Sequence, residues 1–241
     1  MDGFNFYFIN LDRSTERLKR INKLYDINNL VRVPAYDGEK LQFHDDIKFN
    51  ENFLIKKNVK RSELGCSLSH LKAIKMAYES NDENIFIIED DTLNVYKSIW
   101  EKPLKQIIAD MPKNTECLIF YSSNPSIKQN MKRNRNMEFV PFTYTWSTGC
   151  YFLTKTAIEK LYKKYVKNGI IDVRFAVEKR QILSDGELIF PQLKTYVYNR
   201  PTFIDECKSS TIHETNVTVH EIANEMTIDW LVEMVLEREL T

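Results

Sequence analysis

The sequence predicts a single α/β domain in which a mixed, mostly parallel sheet is flanked by helices. The first observation is the segment NIFIIEDD at residues 84–91, where an unbroken apolar run ends in consecutive carboxylates. Such a run is typical of a strand buried on both faces of a sheet. The second observation is the apolar segment Phe4–Leu11, which is followed by a polar turn and a helical pattern reaching Tyr25. Strand, turn and helix in this order open a β-α-β unit.

The alternation of strands and helices continues along the chain. The helix at the C-terminus, over about 219–241, is predicted to pack on the domain. The alternative is that this helix forms the interface of a homodimer. The later predicted elements are a strand at Leu30–Val33, a helix from Ser67 or Ser69 to about Ser80, the strand at 84–91, a helix at Val95–Asp110 that Pro103 interrupts early, a strand at Cys117–Tyr121, a strand at Phe142–Leu153 with a Ser-Thr-Gly break, a helix that Thr154 caps and Gly169 follows, a strand at Thr195–Tyr198 and a helix over about 219–241.

Composition narrows the class of protein. The 241 residues suffice for one large domain or two small ones. Lys plus Arg total 34 and Asp plus Glu total 34, so no bulk charge favours nucleic acid as a partner. The chain has six glycines and neither a GxGxxG nor a GxxxxGK[ST] motif, so the usual dinucleotide and ATP loops are not predicted.

The cysteines and the apolar segments indicate the cellular compartment that we expect for the protein. The cysteines are Cys66, Cys117, Cys150 and Cys207, and none forms a CxxC pair, so a zinc ribbon is not predicted. Each lies among apolar or small residues, which favours reduced, packing cysteines. No signal-peptide pattern or membrane-spanning apolar run is present, and we expect a cytoplasmic location without a transmembrane segment.

Three carboxylates stand where the central strand should end. Ligands bind beyond the carboxyl ends of strands in such sheets. Glu89 and Asp91 alternate along an extended chain and point the same way, so both can hold Mn²⁺ or Mg²⁺ through oxygen ligands. Asp90 then points elsewhere. The alternative is a capping or turn role for these residues.

Several segments in order resemble glycosyltransferase family 25, which includes bacterial lipooligosaccharide β-galactosyltransferases and collagen hydroxylysine galactosyltransferases. The resemblance covers residues 4 to about 162, and Ser62 stands where the family often has Gly. The similar segments are INLDRSTER at Ile9–Arg17, AYDG at Ala35–Gly38, RSELGCSLSH at Arg61–His70, IIEDD at Ile87–Asp91 and STGCYFLTKTAIEKL at Ser147–Leu161.

The resemblance implies one GT-A-type domain over residues 1–241, a nucleotide-sugar donor and a divalent metal. Nucleotide-sugar binding is expected in about 1–120 and acceptor binding in about 121–217. The alternative to donor binding by Arg17 is a place on a solvated helix face. The alternative for His70 is a buried hydrogen-bonding role. Gly65 is expected to permit close approach of another backbone segment. The candidate donor-binding residues are Asn10, Leu11, Asp12, Arg13, Arg17, Asp37, Ser69, His70 and Asp90.

Candidates for the remaining roles come from the C-terminal half. A general base must reach the acceptor hydroxyl, and Asp185 is the first candidate and Glu187 the second, with a turn role as the alternative for Asp185. Trp146, Thr148 and Gly149 are candidates for acceptor binding, although Trp146 can equally be a core residue. His213, ahead of His220, is the candidate third metal ligand, with an ordinary surface histidine as the alternative.

The resulting hypothesis is a metal-dependent, inverting glycosyltransferase. By resemblance it moves a hexose, with galactose favoured, from a UDP-sugar to a saccharide or to a glycoprotein or collagen-like acceptor, in lipopolysaccharide biosynthesis or collagen glycosylation. A UDP-glucose donor is the alternative within the class. A catalytically inactive scaffold and a phosphohydrolase that uses the same carboxylates are the alternatives from other classes.

Overall fold

A seven-stranded mixed sheet forms the centre of the molecule. The computed structural model describes residues 3–25, 28–52, 54, 59–94, 97–121, 129, 131–143, 147–175, 187–200, 202–206 and 217–239. The strands in these residues are β1 (Asn5–Asn10), β2 (Leu30–Pro34), β3 (Ile47–Lys48), β4 (Asn84–Glu89), β5 (Thr92–Leu93), β6 (Cys117–Tyr121), β7 (Phe139–Pro141), β8 (Cys150–Thr154), β9 (Val166–Lys167), β10 (Ile170–Asp172), β11 (Thr195–Tyr198) and β12 (Ile204–Asp205).

Helices cover the sheet and connect its strands. The α-helices whose full bounds fall in the described residues are α1 (Thr15–Leu24), α2 (Arg61–Glu79), α3 (Leu104–Ala109), α4 (Lys155–Tyr165) and α5 (Val217–Glu239). Short 3₁₀-helices lie at Gly38–Phe43, Lys97–Ile99 and Phe190–Gln192.

The order of the main sheet is β2-β1-β4-β8-β6-β11-β7. Strands β1, β2, β4, β6 and β11 run in one direction, whereas β7 and β8 run against them. Smaller sheets join β3-β10-β9 and β12-β5. The chain is therefore a single α/β domain with a mixed, mostly parallel sheet, as predicted.

The central strand β4 separates two halves of the core. Ile85 and Ile87 pack into the half that includes residues of α2 and α4. Phe86 and Ile88 face the half that contains Ile21 of α1 and residues of α3. Because side chains alternate along a strand, one uninterrupted apolar run supplies both halves. This explains why the NIFII segment is apolar throughout.

Two predicted helices have different bounds in the structure. α2 begins at Arg61 rather than at Ser67 or Ser69, because the Glu63 carboxylate accepts the Lys60 backbone N–H at 2.7 Å and caps the first turn. The helix predicted at Val95–Asp110, with an interruption at Pro103, is divided at that interruption: the described residues contain the 3₁₀-helix Lys97–Ile99 before it and the short α3 after it. Pro103 is the N-cap of α3 with an extended backbone, so a new helix begins there.

Two further expectations near α4 are corrected. Of the described residues in the segment Phe142–Leu153, only those from Cys150 onward form a strand, β8, while β7 ends at Pro141 before the predicted range. The predicted Ser-Thr-Gly break at residues 147–149 is present. Gly169 does not end α4. It lies with Asn168 in the turn between β9 and β10, where φ is +52° at Asn168 and +75° at Gly169, and an Asn-Gly pair with positive φ is typical of a two-residue hairpin turn. Thr154 caps α4 as predicted, because its hydroxyl accepts the Ala157 N–H.

The C-terminal helix α5 is amphipathic only in part. Ala223, Trp230 and Leu231 are buried, whereas Val232 and Leu236 are about half exposed. In the described part of the chain, no helix combines the length and the apolarity that crossing a membrane requires.

Close backbone packing joins α2 to the loop before it, as predicted for Gly65. A Cβ on Gly65 would lie 2.8 Å from the Tyr36 carbonyl oxygen, and one on Gly38 would lie 2.5 Å from the Arg61 carbonyl oxygen. We expect Gly38→Ala to lower the free energy of unfolding by about 3 kcal/mol, the upper end of the usual range for overpacking. Backbone atoms cannot move aside as a flexible side chain can.

Gly169→Ala is the matched control for this prediction. A Cβ there meets nothing within 4 Å although φ is +75°, so only left-handed strain of about 1 kcal/mol is expected. Urea unfolding of both variants measures the difference, and equal losses would contradict the steric explanation.

Candidate functional site

The strand-end carboxylates lie where β4 meets two short strands. Glu89 ends β4, and Asp91 precedes β5. β5 pairs with β12 in antiparallel register, with Thr92 opposite Asp205, and the Glu206 N–H donates to the Asp91 carbonyl at 3.0 Å. A late segment of the chain thus brings a further carboxylate, Asp205, to the end of the central strand.

The Glu89 carboxylate is held by two donors from other elements. The Thr148 hydroxyl donates to Glu89 Oε1 at 2.6 Å, and His70 Nε2 lies 3.2 Å from the same oxygen. The Glu89 backbone N–H donates to the Gly149 carbonyl at 3.0 Å. Thr148 and Gly149, predicted as acceptor-binding residues, therefore contact Glu89 directly, and their binding of an acceptor stays a prediction.

His70 lies completely buried on α2, between Glu89 and Tyr151. Its Nδ1 is 2.9 Å from the Tyr151 hydroxyl oxygen. With Nε2 protonated, His70 donates to Glu89 and accepts from Tyr151, so every polar atom of this chain of contacts has a role. The structure matches the buried hydrogen-bonding alternative for His70, and its contact with a donor stays a prediction.

Asp90 and Asp91 lie in the turn that follows β4, which ends at Glu89, so the turn alternative describes the backbone of both residues. The Asp90 side chain is held by partners on β1 and α1. Its Oδ2 accepts from Asn10 Nδ2 at 2.6 Å, and its Oδ1 accepts from Arg17 Nη1 at 2.7 Å. The same Nη1 reaches Asp91 Oδ2 at 3.0 Å. The Arg17 side chain is only 12% exposed, so the solvated helix face considered for it is not observed. Arg17 instead bridges two carboxylates.

Negative charge is crowded around Asp91. Burial, followed by the charges of Asp205 and Glu89, raises the pKa of Asp91 well above the usual carboxyl range, while Arg17 opposes the shift. The ionised form of Asp91 is therefore disfavoured even with the Arg17 guanidinium beside it. A bound cation would remove that penalty.

The residues fit a hard divalent cation by their chemistry. Glu89, Asp91 and Asp205 offer carboxylate oxygens, which suit Mn²⁺ and Mg²⁺. Among the described residues, however, the set whose ligand atoms already lie within 4.8 Å of one another is Cys66, His70 and Glu89. Glu89 thus belongs to two potential ligand sets.

The other predicted donor-binding residues near β1 are tied to one another. Arg13 pairs with Asp37, and Asp37 also caps the 3₁₀-helix at Gly38–Phe43. Arg32 donates to Asn10 Oδ1 at 3.1 Å and to Asp12 at 2.6 Å. Because β1 and β4 are parallel neighbours, these charged groups share the edge of the sheet with the carboxylates.

Ser69 and Leu11 have local structural contacts. The Ser69 hydroxyl donates to the Gly65 carbonyl at 2.6 Å and accepts the Tyr36 N–H at 2.8 Å. The Leu11 carbonyl accepts the Ser14 N–H at 2.9 Å. These contacts shape the loops at the sheet edge, and direct contact of either residue with a donor stays a prediction.

Four candidates from the C-terminal half remain predictions. Trp146, Asp185 and His213 lie outside the described residues. Glu187 is described: its carbonyl accepts from Gln192 Nε2 at 2.7 Å, and after burial its charge is the second cause of the raised pKa of Tyr165. These contacts relate Glu187 to the end of α4, and its role as a base is untested.

Sequence reasoning missed Asp205 and its neighbour Glu206, which pairs with Arg20 of α1. A signal was present, because FIDE at residues 203–206 repeats the pattern of an apolar run ending in carboxylates. Tyr151 was also missed, because a tyrosine inside an apolar strand is indistinguishable from a core residue until its partner is known.

Comparison with known proteins identifies the family. The model of glycosyltransferase family 25, described as an LPS biosynthesis protein family, matches residues 4–177. The chain belongs to glycosyltransferase family 25. The matched range contains every element that surrounds the carboxylates except β12 and its Asp205.

Relatives of this family 25 chain are distant. A "Glycosyltransferase 25 family member" from Anopheles gambiae is 24% identical over 180 residues, which are 70% of this chain and 30% of that protein. The chain thus spans about 30% of the length of this relative. A197 from STIV is 11% identical, with 84% of each chain covered and a TM-score of 0.42. A glycosyltransferase involved in glycosylation of the major capsid of PBCV-1 is 13% identical, with 93% of this chain and 99% of that chain covered and a TM-score of 0.39.

Proposed function

We propose that this family 25 chain is a metal-dependent, inverting glycosyltransferase that moves a hexose from a UDP-sugar. UDP-galactose is the first donor to test and UDP-glucose the second. The observation that carries the proposal is the crowding of Glu89, Asp91 and Asp205 at the end of the central strand. A fold gains no stability from carboxylates placed so that the pKa of Asp91 is raised, whereas a cation-dependent site requires them.

The roles of the residues follow from their contacts. A divalent cation, when bound, neutralises charge on a diphosphate leaving group. Thr148 and His70 hold the Glu89 carboxylate in one orientation, and Arg17 holds Asp90 and Asp91. Arg13 follows β1 and pairs with Asp37, and its side chain is 53% exposed. Its guanidinium is therefore proposed to exchange or share that partner with a donor phosphate at the same edge.

The acceptor is proposed as a saccharide or a hydroxylysine-type residue in a glycoprotein or collagen-like chain. Asp185, and next Glu187, is proposed to take the proton from its hydroxyl. The family description names lipopolysaccharide biosynthesis, so saccharide acceptors are tested first. A cytoplasmic location and a homodimer through α5 stay predictions.

Thermal unfolding with UDP, with and without Mn²⁺, tests the proposal. Because a ligand that binds only the native state raises the unfolding midpoint by mass action, we expect UDP to raise the midpoint of the wild type only when Mn²⁺ is present. Asp91→Ala should lose that shift. Asp45→Ala is the matched control, because Asp45 is an exposed carboxylate away from β4, and it should keep the shift.

Different outcomes separate the alternatives. A shift followed by transfer from UDP-galactose or UDP-glucose supports the proposal and identifies the sugar. Release of inorganic phosphate without any acceptor would instead support a phosphohydrolase. A well-folded wild type that responds to no uridine or guanosine diphosphate would overturn the proposal in favour of an inactive binding module.

A further inference from the structure

A second set of potential metal ligands lies between α2 and the end of β4. Cys66 and His70 are one helical turn apart on α2, so they lie on the same face of that helix. Glu89 faces them from β4. The thiol sulfur, an imidazole nitrogen and a carboxylate oxygen of these residues all lie within 4.8 Å of one another. His70 is buried, while Cys66 and Glu89 are partly exposed, so an ion can enter from the solvent side.

The spacing already resembles one edge of a tetrahedral site. His70 Nε2 and Glu89 Oε1 are 3.2 Å apart. Two ligands at bond lengths of about 2.0–2.1 Å in a tetrahedral zinc site are separated by about 3.3 Å. The separation of these two atoms therefore already suits two ligands of one ion. Binding requires the side chains to rotate until both atoms and the Cys66 sulfur point at a common centre. Three protein ligands leave the fourth position open.

The partner of His70 supports ligation by Nε2. Metal binding at Nε2 requires that the ring proton sit on Nδ1, and the Tyr151 hydroxyl oxygen lies 2.9 Å from Nδ1. A hydroxyl can donate or accept, so the Tyr151 oxygen can accept a hydrogen bond from Nδ1–H without moving. An oxygen that accepts the other ring N–H is the usual support of a metal-binding histidine, because it fixes the ring orientation.

We propose that Cys66, His70 and Glu89 form a binding site for Zn²⁺ or a similar soft divalent ion. A thiolate and an imidazole select zinc and cadmium over Mn²⁺ and Mg²⁺. On binding, the Cys66 thiol loses its proton to solvent, and the Glu89 oxygen exchanges its contact with Nε2–H for one with the metal. This site is distinct in its chemistry from the oxygen set at Asp91 and Asp205.

The two ion sites share Glu89, and this has a regulatory consequence that rests on the proposed function. A carboxylate engaged with Zn²⁺, Cys66 and His70 is withdrawn from the Mn²⁺ that would accompany the donor. Zn²⁺ therefore weakens donor binding without touching the nucleotide. The zinc site itself does not depend on the proposed function.

Titration with Cd²⁺ tests the site directly, because thiolate–cadmium bonds give an ultraviolet charge-transfer band. We expect the wild type to develop this band with one Cd²⁺ per chain and Zn²⁺ to abolish it by competition. Cys66→Ser should lose the band, and His70→Gln should weaken cadmium binding at least about 10-fold. Cys117→Ala and Cys207→Ser are matched controls that should retain the band.

The outcomes distinguish the two parts of the inference. A band that persists in Cys66→Ser, or that never forms in the folded wild type, overturns the site; the unfolding midpoint of each variant establishes folding. Zn²⁺ should also reduce the Mn²⁺-dependent UDP shift of the wild type and not that of Cys66→Ser. If UDP and Mn²⁺ raise the unfolding midpoint equally with and without Zn²⁺ in its site, the inference that the two ions share Glu89 is overturned. A normal cadmium band without any UDP shift leaves the zinc site standing and overturns the proposed function alone.

Discussion

Replacement of Asp91 by asparagine is expected to abolish metal-dependent transfer while making the metal-free protein more stable. The substitution keeps the size of the side chain and an oxygen for Arg17 Nη1, which lies 3.0 Å from Asp91 Oδ2. It removes a negative charge that burial and the charges of Asp205 and Glu89 disfavour. We expect a gain of at least about 1 kcal/mol in the metal-free state, the equivalent of one unit of pKa shift.

Asp91→Asn should lower activity although it raises stability, because the negative charge of Asp91 would help to hold the bound cation. Removal of one preorganised electrostatic contributor costs about 10²–10³-fold in rate, and we expect a loss of that size in kcat/KM for Asp91→Asn. Denaturant unfolding in a chelator and initial rates with Mn²⁺ measure the two effects. Asp45→Asn, at an exposed carboxylate, is the control that should change neither. An Asp91→Asn variant that is both active and less stable would show that Asp91 has a structural role only.

Arg17→Ala is expected to cause the largest loss of stability among the charged residues of the site. Arg17 is the cation that bridges Asp90 and Asp91, and the three side chains are 12%, 10% and 22% exposed. Removal of one partner from a buried ion pair leaves an uncompensated charge and typically costs about 3–5 kcal/mol. We expect a loss near the lower end of that range, because Asp91 retains some contact with solvent.

Arg13→Ala provides the matched comparison. Arg13 also pairs with an aspartate, Asp37, but its side chain is 53% exposed, so its removal should cost only about 0–1 kcal/mol. Urea unfolding of both variants measures the difference. Mn²⁺ should restore part of the stability of Arg17→Ala and add less to the stability of Arg13→Ala. Only Arg17→Ala removes the cation beside Asp90 and Asp91, so only there can a bound Mn²⁺ replace a lost positive charge. Equal losses in the two variants would contradict the bridging role of Arg17.

Local signals decided which predictions of fold were accurate. The strands at Cys117–Tyr121 and Thr195–Tyr198 have the bounds that were predicted, because each is a short apolar run between polar residues. The start of α2 was missed by a turn or more, because its first residues, RSELG, are polar and the capping contact between Glu63 and the Lys60 N–H is read only in three dimensions. In the helix predicted at Val95–Asp110 the expected interruption at Pro103 is present, and the α-helical part is confined to Leu104–Ala109 after it.

The sequence by itself determined that carboxylates stand at the end of a buried strand. The β-branched and aromatic run Ile85–Ile88 is typical of a strand buried on both faces of a sheet, and Glu89 and Asp91 then follow at the end of that strand. The expectation that Asp90 points elsewhere than Glu89 and Asp91 assumed an extended chain, whereas Asp90 and Asp91 lie in a turn and both contact Arg17 Nη1. The order of residues in five segments of the sequence also indicated the resemblance to family 25.

Only the tertiary structure decided which groups surround those carboxylates. Asp205 and Thr92 are far apart in the chain and meet because β12 pairs with β5. His70 and Thr148 converge on Glu89 from α2 and from the residues before β8, and Tyr151 of β8 contacts His70. Such neighbours depend on the packing of elements that are remote in sequence, and no local propensity or spacing encodes them. For the same reason, the grouping of Cys66 with His70 and Glu89 emerged only when the helix was set against the strand.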